Sequence, residues 1–233
     1  MLDFITGFIK TLFSLPSEMF LGKENIVSFL CIIFVLFLLN ESIKKSKISY
    51  SGFKGEIAVS RLLKQIAKNR FIVMNDVLLP LYDNMTQIDH IVIGSFGVIC
   101  IETKNHSGKI TGGMENVYWN QKIGFKTHSF YNPLAQNNTH VHAVQYFLHK
   151  EKLFNVPIYN LVVFSSNNVS IELNENNLPV IPVHCLEKYF KNKIFDKSKI
   201  DVNKVVNAIQ KYRITDKKAK KQHIEHLKKV YSH

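Results

Sequence analysis

The stretch Gln87-Ile88-Asp89-His90-Ile91-Val92-Ile93, then Gly94-Ser95-Phe96-Gly97, then Val98-Ile99-Cys100-Ile101-Glu102-Thr103-Lys104 decides the fold. Two β-branched runs joined by a short loop with a glycine at either end predict an antiparallel hairpin rather than a helix. Side chains alternate across a strand, so Glu102 and Lys104 share one face and Ile99 and Ile101 the other. With the strands paired about the turn, Asp89 falls on the neighbouring strand, close enough to Glu102 to share a divalent cation. A run as apolar as residues 98–101 reads as a buried strand, and charge at its end calls for a reason.

Magnesium provides one. It takes hard oxygen ligands and keeps several waters, so one or two carboxylates plus substrate phosphate oxygens suffice. Beside a phosphodiester it polarises the phosphoryl group and acidifies water, while a neighbouring lysine orients that water or neutralises developing charge. The plain alternative is a solvated, salt-bridged strand edge, which the acid and acid-x-lysine spacing alone does not exclude.

Working outward, Val59, Leu62, Leu63 and Ile66 recur at the spacing of one helix face, predicting a helix over residues 55–66 with Glu56 in its first turn. There the positive end of the helix dipole by itself favours a carboxylate. Asn132 reads as an N-cap with Pro133 at the first helical position, opening a helix to about Lys150. Gln136 lies one turn in, facing either the site or solvent. His140 and His142, two apart on that helix, point to different faces and suit a shared zinc ion poorly. By alternation His90 projects away from Asp89, to pack or to form a hydrogen bond.

The segment from Ser51 to about Leu148 resembles the nuclease-related domain (NERD) family of the restriction-endonuclease-like PD-(D/E)xK nucleases. The resemblance rests on four motifs in order: Gly52-Phe53-Lys54-Gly55-Glu56; Gln87-Ile88-Asp89-His90; Gly97-Val98 leading to Glu102-Thr103-Lys104-Asn105; and Asn132-Pro133-Leu134-Ala135-Gln136. Ile88 stands where the wider group often carries proline. The resemblance implies Asp89 and Glu102 as metal ligands for Mg²⁺ or Mn²⁺, Lys104 as the catalytic lysine, Glu56 as a supporting acid and Gln136 as a polar helper.

Further along, residues 158–164 read as another buried strand, 180–183 as a short edge strand carrying Pro182, and Val202, Val205, Val206 and Ile209 as a closing helix. Asn167, Asn168, Asn174, Asn176 and Asn177 read as polar loops. The order helix, strands, helix, strand, edge strand, helices suits an α/β core with a mixed central sheet flanked by helices. That agrees with the restriction-endonuclease-like fold the resemblance implies. Cys31, Cys100 and Cys185 are odd in number and scattered, which argues against a disulfide framework. Phosphate-binding glycine loops and G-x-S-x-G are absent from the sequence, which removes support for ATP-driven and acyl-serine chemistry.

The chain's ends carry different signals. Residues 26–39 are uncharged and almost wholly apolar, and residues 25–43 as a helix reach about 28 Å, matching the roughly 30 Å hydrocarbon core. An N-terminal transmembrane helix over 25–43 is therefore expected, after an amphipathic segment over 1–24 and before a basic tether over 44–50. The acids and sparse bases before residue 25 do not make a signal-peptide n-region. Lys44, Lys45, Lys47 and Lys54 outnumber Lys10 and Lys23, which places the main domain, 51–210, in the cytoplasm. The formal charge is +12, and residues 211–233 hold eight bases against Asp216 and Glu225. Such a tail attracts polyanions, either nucleic acid or anionic lipid.

These readings converge on a membrane-anchored, divalent-metal-dependent nuclease acting on nucleic acid, DNA first, with dimerisation as one route to cutting both strands. The alternative is a non-catalytic nucleic-acid-binding or membrane-scaffold module that keeps the fold.

Overall fold

The computed structural model describes residues 23–68, 70–82, 84–191 and 200–216, with the side chains of 23–29, 45 and 47–49 left out of that description. The chain divides into two compact units, Met1–Tyr50 and Ser51–His233. Helix α1 is Lys23–Ala67, and strands β1 (Phe71–Leu81), β2 (Asn84–Gly94) and β3 (Gly97–Lys104) follow it. Next come β4 (Gly108–Gly112), β5 (Tyr118–Ile123), β6 (Lys126–Tyr131) and helix α2 (Pro133–Lys150). Strands β7 (Ile158–Phe164), β8 (Val169–Leu173) and β9 (Val180–Pro182) precede a 3-10 turn at Val183–Cys185 and helices α3 (Leu186–Lys191) and α4 (Val202–Tyr212).

The central sheet has the order β1-β2-β3-β7-β9. Its first three strands are antiparallel, and β7 and β9 join in parallel, so the sheet is mixed. The β2–β3 pairing closes at Gly94↔Gly97. Gly97 has φ 124, a conformation costly for residues with a Cβ, and an added Cβ would overlap the Pro157 carbonyl oxygen. Alternation then sorts the strands into two cores. Val98, Cys100, Ile91 and Ile93 pack with Val144, Phe147 and Leu148 of α2 and with Val205 and Ile209 of α4. Ile99, Ile101 and Val92 pack with Val59, Leu63 and Ile66 of α1 and with Leu186 and Phe190. Each such aliphatic side chain contributes about 1.5–3 kcal/mol on burial. With both faces covered, the polar side chains of β3 are confined to its end, at Glu102, Thr103 and Lys104.

A second sheet, β6-β5-β4-β8, was not among the sequence expectations. Its strands are 5 or 6 residues long and mostly half-exposed, so their apolar alternation is weak. β8 in particular lies among the asparagines read as polar loops. The sheet is anchored by Trp119 and Ile110, which pack with Leu134, Val162 and Phe164.

One expectation changes. α1 starts at Lys23, so Glu56 lies in a helix interior, beyond the reach of an N-terminal dipole that acts only within the first turn. Residues 44–50, expected as a tether, are helical for the same reason. Among the described residues no helix is long and apolar enough to cross a membrane. The side chains of 23–29, part of the span expected over 25–43, lie outside the described ones, as do residues 1–22 of the amphipathic segment expected over 1–24 and tail residues 217–233. The start of the tail is built into the domain: Arg213 donates to the carbonyls of Asn75 at 3.0 Å and Asp76 at 3.1 Å, and the Ile214 N–H donates to Leu78 O at 2.8 Å.

Candidate functional site

The site forms where the β2–β3 pairing ends, at the end of β3 and beneath the first turns of α2. The ladder pairs His90 with Ile101, and one step further Asp89 meets the end of β3, where the Thr103 N–H donates to Asp89 Oδ2 at 2.8 Å. Glu102 is 3% exposed. Its Oε1 accepts from Lys104 Nζ at 2.8 Å and its Oε2 lies 3.2 Å from His140 Nε2. Lys104 Nζ also donates to Gln136 Oε1 at 2.8 Å, which resolves Gln136 toward the site rather than solvent. His140 Nδ1 lies 2.7 Å from Thr86 Oγ1, so a chain of contacts runs Thr86, His140, Glu102, Lys104, Gln136.

Helix α2 is fixed over this corner by side chains the sequence partly advertised. Asn132 caps it, its Oδ1 accepting from the N–H groups of Leu134 at 2.9 Å and Ala135 at 3.3 Å. Asn137 Nδ2 donates to Cys100 O at 2.8 Å, Asn160 Oδ1 at 2.7 Å and Leu161 O at 3.1 Å, tying the helix to β3 and β7. Glu56 comes from α1, which approaches closely because residue 55 is glycine. A Cβ there would overlap Ser165 Oγ and stand 2.8 Å from the Asn105 Cβ.

The sequence profile of the family described as nuclease-related domain matches residues 51–165. An uncharacterized protein of Bacillus anthracis is 30% identical over 211 residues, covering 88% of this chain and 96% of that protein. The chain belongs to the nuclease-related domain family. No solved structure matches the chain.

The charges of Glu56, Asp89, Glu102 and Lys104 act on one another, and Gln136 joins them through its contact with Lys104. Burial, then the Glu102 and Glu56 charges, hold the Asp89 carboxyl well above the usual carboxylate range against the opposing Thr103 N–H and Lys104. Glu102 goes the other way. Burial pushes it up, but the Lys104 ammonium and the His140 hydrogen bond outweigh that and hold it ionised. Glu56 is raised by burial, then by Glu102 and Asp76.

A buried and a half-buried carboxylate, Glu102 and Asp89, offer the hard oxygen donors that fit a magnesium-type cation. Among the described residues no group of three or more His, Cys, Asp or Glu side chains is set to hold a metal.

His140, Thr86 and Asp76 were not singled out for the site. Asp76 sits between the pairs Asn75↔His90 and Val77↔Ile88 with φ 54, a strained backbone for aspartate beside Asp89. Helical spacing alone gave half a signal for His140, four residues beyond Gln136 and so on its face, but its partner Glu102 is distant in sequence. His140 and His142 diverge, the second lining a surface cleft. His90 is buried with Nδ1 at 2.7 Å from Asn75 Oδ1, and burial lowers it to about 4.

Proposed function

We propose that this member of the nuclease-related domain family is a membrane-anchored, divalent-metal-dependent nuclease that hydrolyses phosphodiester bonds of nucleic acid, DNA first, on the cytoplasmic side. The observation that carries the reading is the Lys104 ammonium held between Glu102 and Gln136, both at 2.8 Å, beside Asp89. A folding domain gains little from burying such a group, since replacing buried ion pairs by apolar residues is often neutral or stabilising.

Asp89 and Glu102 would hold Mg²⁺ or Mn²⁺. When bound, the cation supplies charge stabilisation at the phosphoryl oxygens and acidifies water. Lys104, fixed on two sides, orients the attacking water and offsets charge developing on the phosphate. His140 keeps Glu102 Oε2 in place, with its own ring aligned by Thr86. Glu56 supports the site from α1 through its field, and Gln136 keeps the lysine from swinging to solvent.

Anchoring is supported by the apolar residues of α1 that lie before Tyr50. Leu30, Phe34, Phe37 and Leu39 are each at least half exposed, more apolar surface than water tolerates along one helix. The excess of lysines after this segment supports a cytoplasmic domain by the positive-inside rule. The basic tail would hold nucleic acid backbone or anionic lipid, and a homodimer would cut both strands of a duplex. Incubating the full-length chain with labelled single- and double-stranded DNA and RNA in Mg²⁺, Mn²⁺ or EDTA tests the reading. Cutting that needs metal is expected, and nucleic-acid binding without cutting in every metal would leave the scaffold alternative.

A further inference from the structure

Beyond the carboxylates, the β1–β2 hairpin runs past the end of β3 and closes at Leu81↔Asn84. Tyr82 stands at its tip, 97% exposed and with φ 50. A left-handed turn position is ordinarily filled by Gly, Asn or Asp, and a Tyr there costs about 1–2 kcal/mol with nothing gained in packing. A local rule broken without a folding benefit marks a residue kept for contact with something else.

Tyr82 is not alone. It lines a cleft of about 460 Å³ with His142, Tyr146, Lys150 and Tyr212. Tyr146 is 62% exposed, and its ring meets Phe147 edge-on at 5.1 Å. Phe147 stacks on Tyr212 at 4.4 Å, and Lys150 Nζ lies 5.3 Å over the Tyr212 ring. No carboxylate is among the described residues lining the cleft.

The cleft continues the site. Thr86 contacts His140 and lies on the same hairpin as Tyr82, about 7 Å of strand from the closing pair Leu81↔Asn84. His142, Tyr146 and Lys150 follow His140 along α2. We infer that the cleft is a base-stacking platform that takes a single-stranded stretch of nucleic acid leading from the scissile phosphate. Tyr82 and Tyr146 stack bases and Lys150 meets the backbone. The inference rests on the reading of the adjoining site as one for phosphodiesters. Single strands are favoured over duplex because only unpaired bases offer their faces to rings. Three tyrosine rings and the Lys150 ammonium, with no carboxylate among the described lining residues, match a polyanion carrying flat bases.

The test is fluorescence anisotropy of a labelled short DNA single strand, an abasic strand of equal length and a duplex, with the full-length chain in EDTA. The single strand should bind about 10-fold tighter than the abasic one, and Tyr146→Ala should remove about that factor without changing abasic binding. Tyr82→Asn, which suits the left-handed turn and removes the ring, should do the same, while Tyr82→Trp retains tight binding. Equal binding of the single strand by wild type, Tyr82→Asn and Tyr146→Ala overturns the platform, as does failure to distinguish it from the abasic strand. The readout needs no cutting. A chain that never cuts yet loses single-strand binding in Tyr82→Asn would end the nuclease reading and keep the platform, whereas unaltered binding in a chain that cuts would do the reverse.

Discussion

The buried Glu102 and the half-buried Asp89 are neighbouring carboxylates with opposite leanings, and the difference lies in their partners. Glu102 has Lys104 and His140, while Asp89 has one N–H and two acids in range. Because Asp89's folded pKa is raised, its contribution to stability is full below its ordinary value of 3.8 and is lost as pH rises through the folded value. Asp89→Asn should therefore melt higher than wild type in EDTA, by a margin that grows with pH, and should lose the stabilisation by Mg²⁺ that wild type shows in thermal denaturation. His90 works in the other sense. Lowered from 6.5 to about 4, it stays neutral in the fold while the unfolded chain takes a proton, so on the order of 3 kcal/mol is lost as pH falls across that window. His90→Leu should flatten the acid limb of the stability profile there. Acids and lysine were legible as types at a spacing, whereas His140 was not read into the site because its partner is supplied by the fold.

At the scale of elements, the site depends on the placement of α2 over β3. Asn132 and Asn137 do that placing, one by capping the helix and one by bonding to both strands beneath it. Asn132→Ala should cost about 1–2 kcal/mol of stability in urea denaturation. Asn137→Ala, which leaves buried carbonyls unpaired, should cost about 1–3 kcal/mol and slow cutting as Gln136 and His140 lose register. The β2–β3 hairpin, α2 with its cap, β7, β9 and α4 were all legible, since each carries a strong period or a capping residue. The second sheet was not, because short strands in contact with solvent need no apolar alternation, and Trp119 shows its worth only once Ile110 and Phe164 surround it. Glu56 was read on the right helix but with the wrong start, because an apolar face at 59–66 says nothing of how far the helix extends backwards.

The whole molecule joins a strongly apolar helical segment to a basic domain with a concentrated basic tail. If residues 25–43 anchor the chain, a fusion should sediment with membranes, resist carbonate extraction and leave the domain accessible only from the cytoplasmic side. Removal of residues 1–50 should release the domain. Recovery of the full chain in the soluble fraction would remove the anchor from the account. The nuclease reading stands apart from that outcome, because its residues all lie in Ser51–His233. It is tested most directly by single-turnover cleavage of labelled DNA by wild type and by Asp89→Ala, Glu102→Gln and Lys104→Ala, with Mg²⁺ or EDTA and circular dichroism as the check on folding. Metal-dependent cutting that each substitution slows by about 10²–10³-fold or more in a folded protein is the predicted result. Cutting that survives Glu102→Gln and Lys104→Ala would contradict the account, as would no cutting by the wild type in any metal.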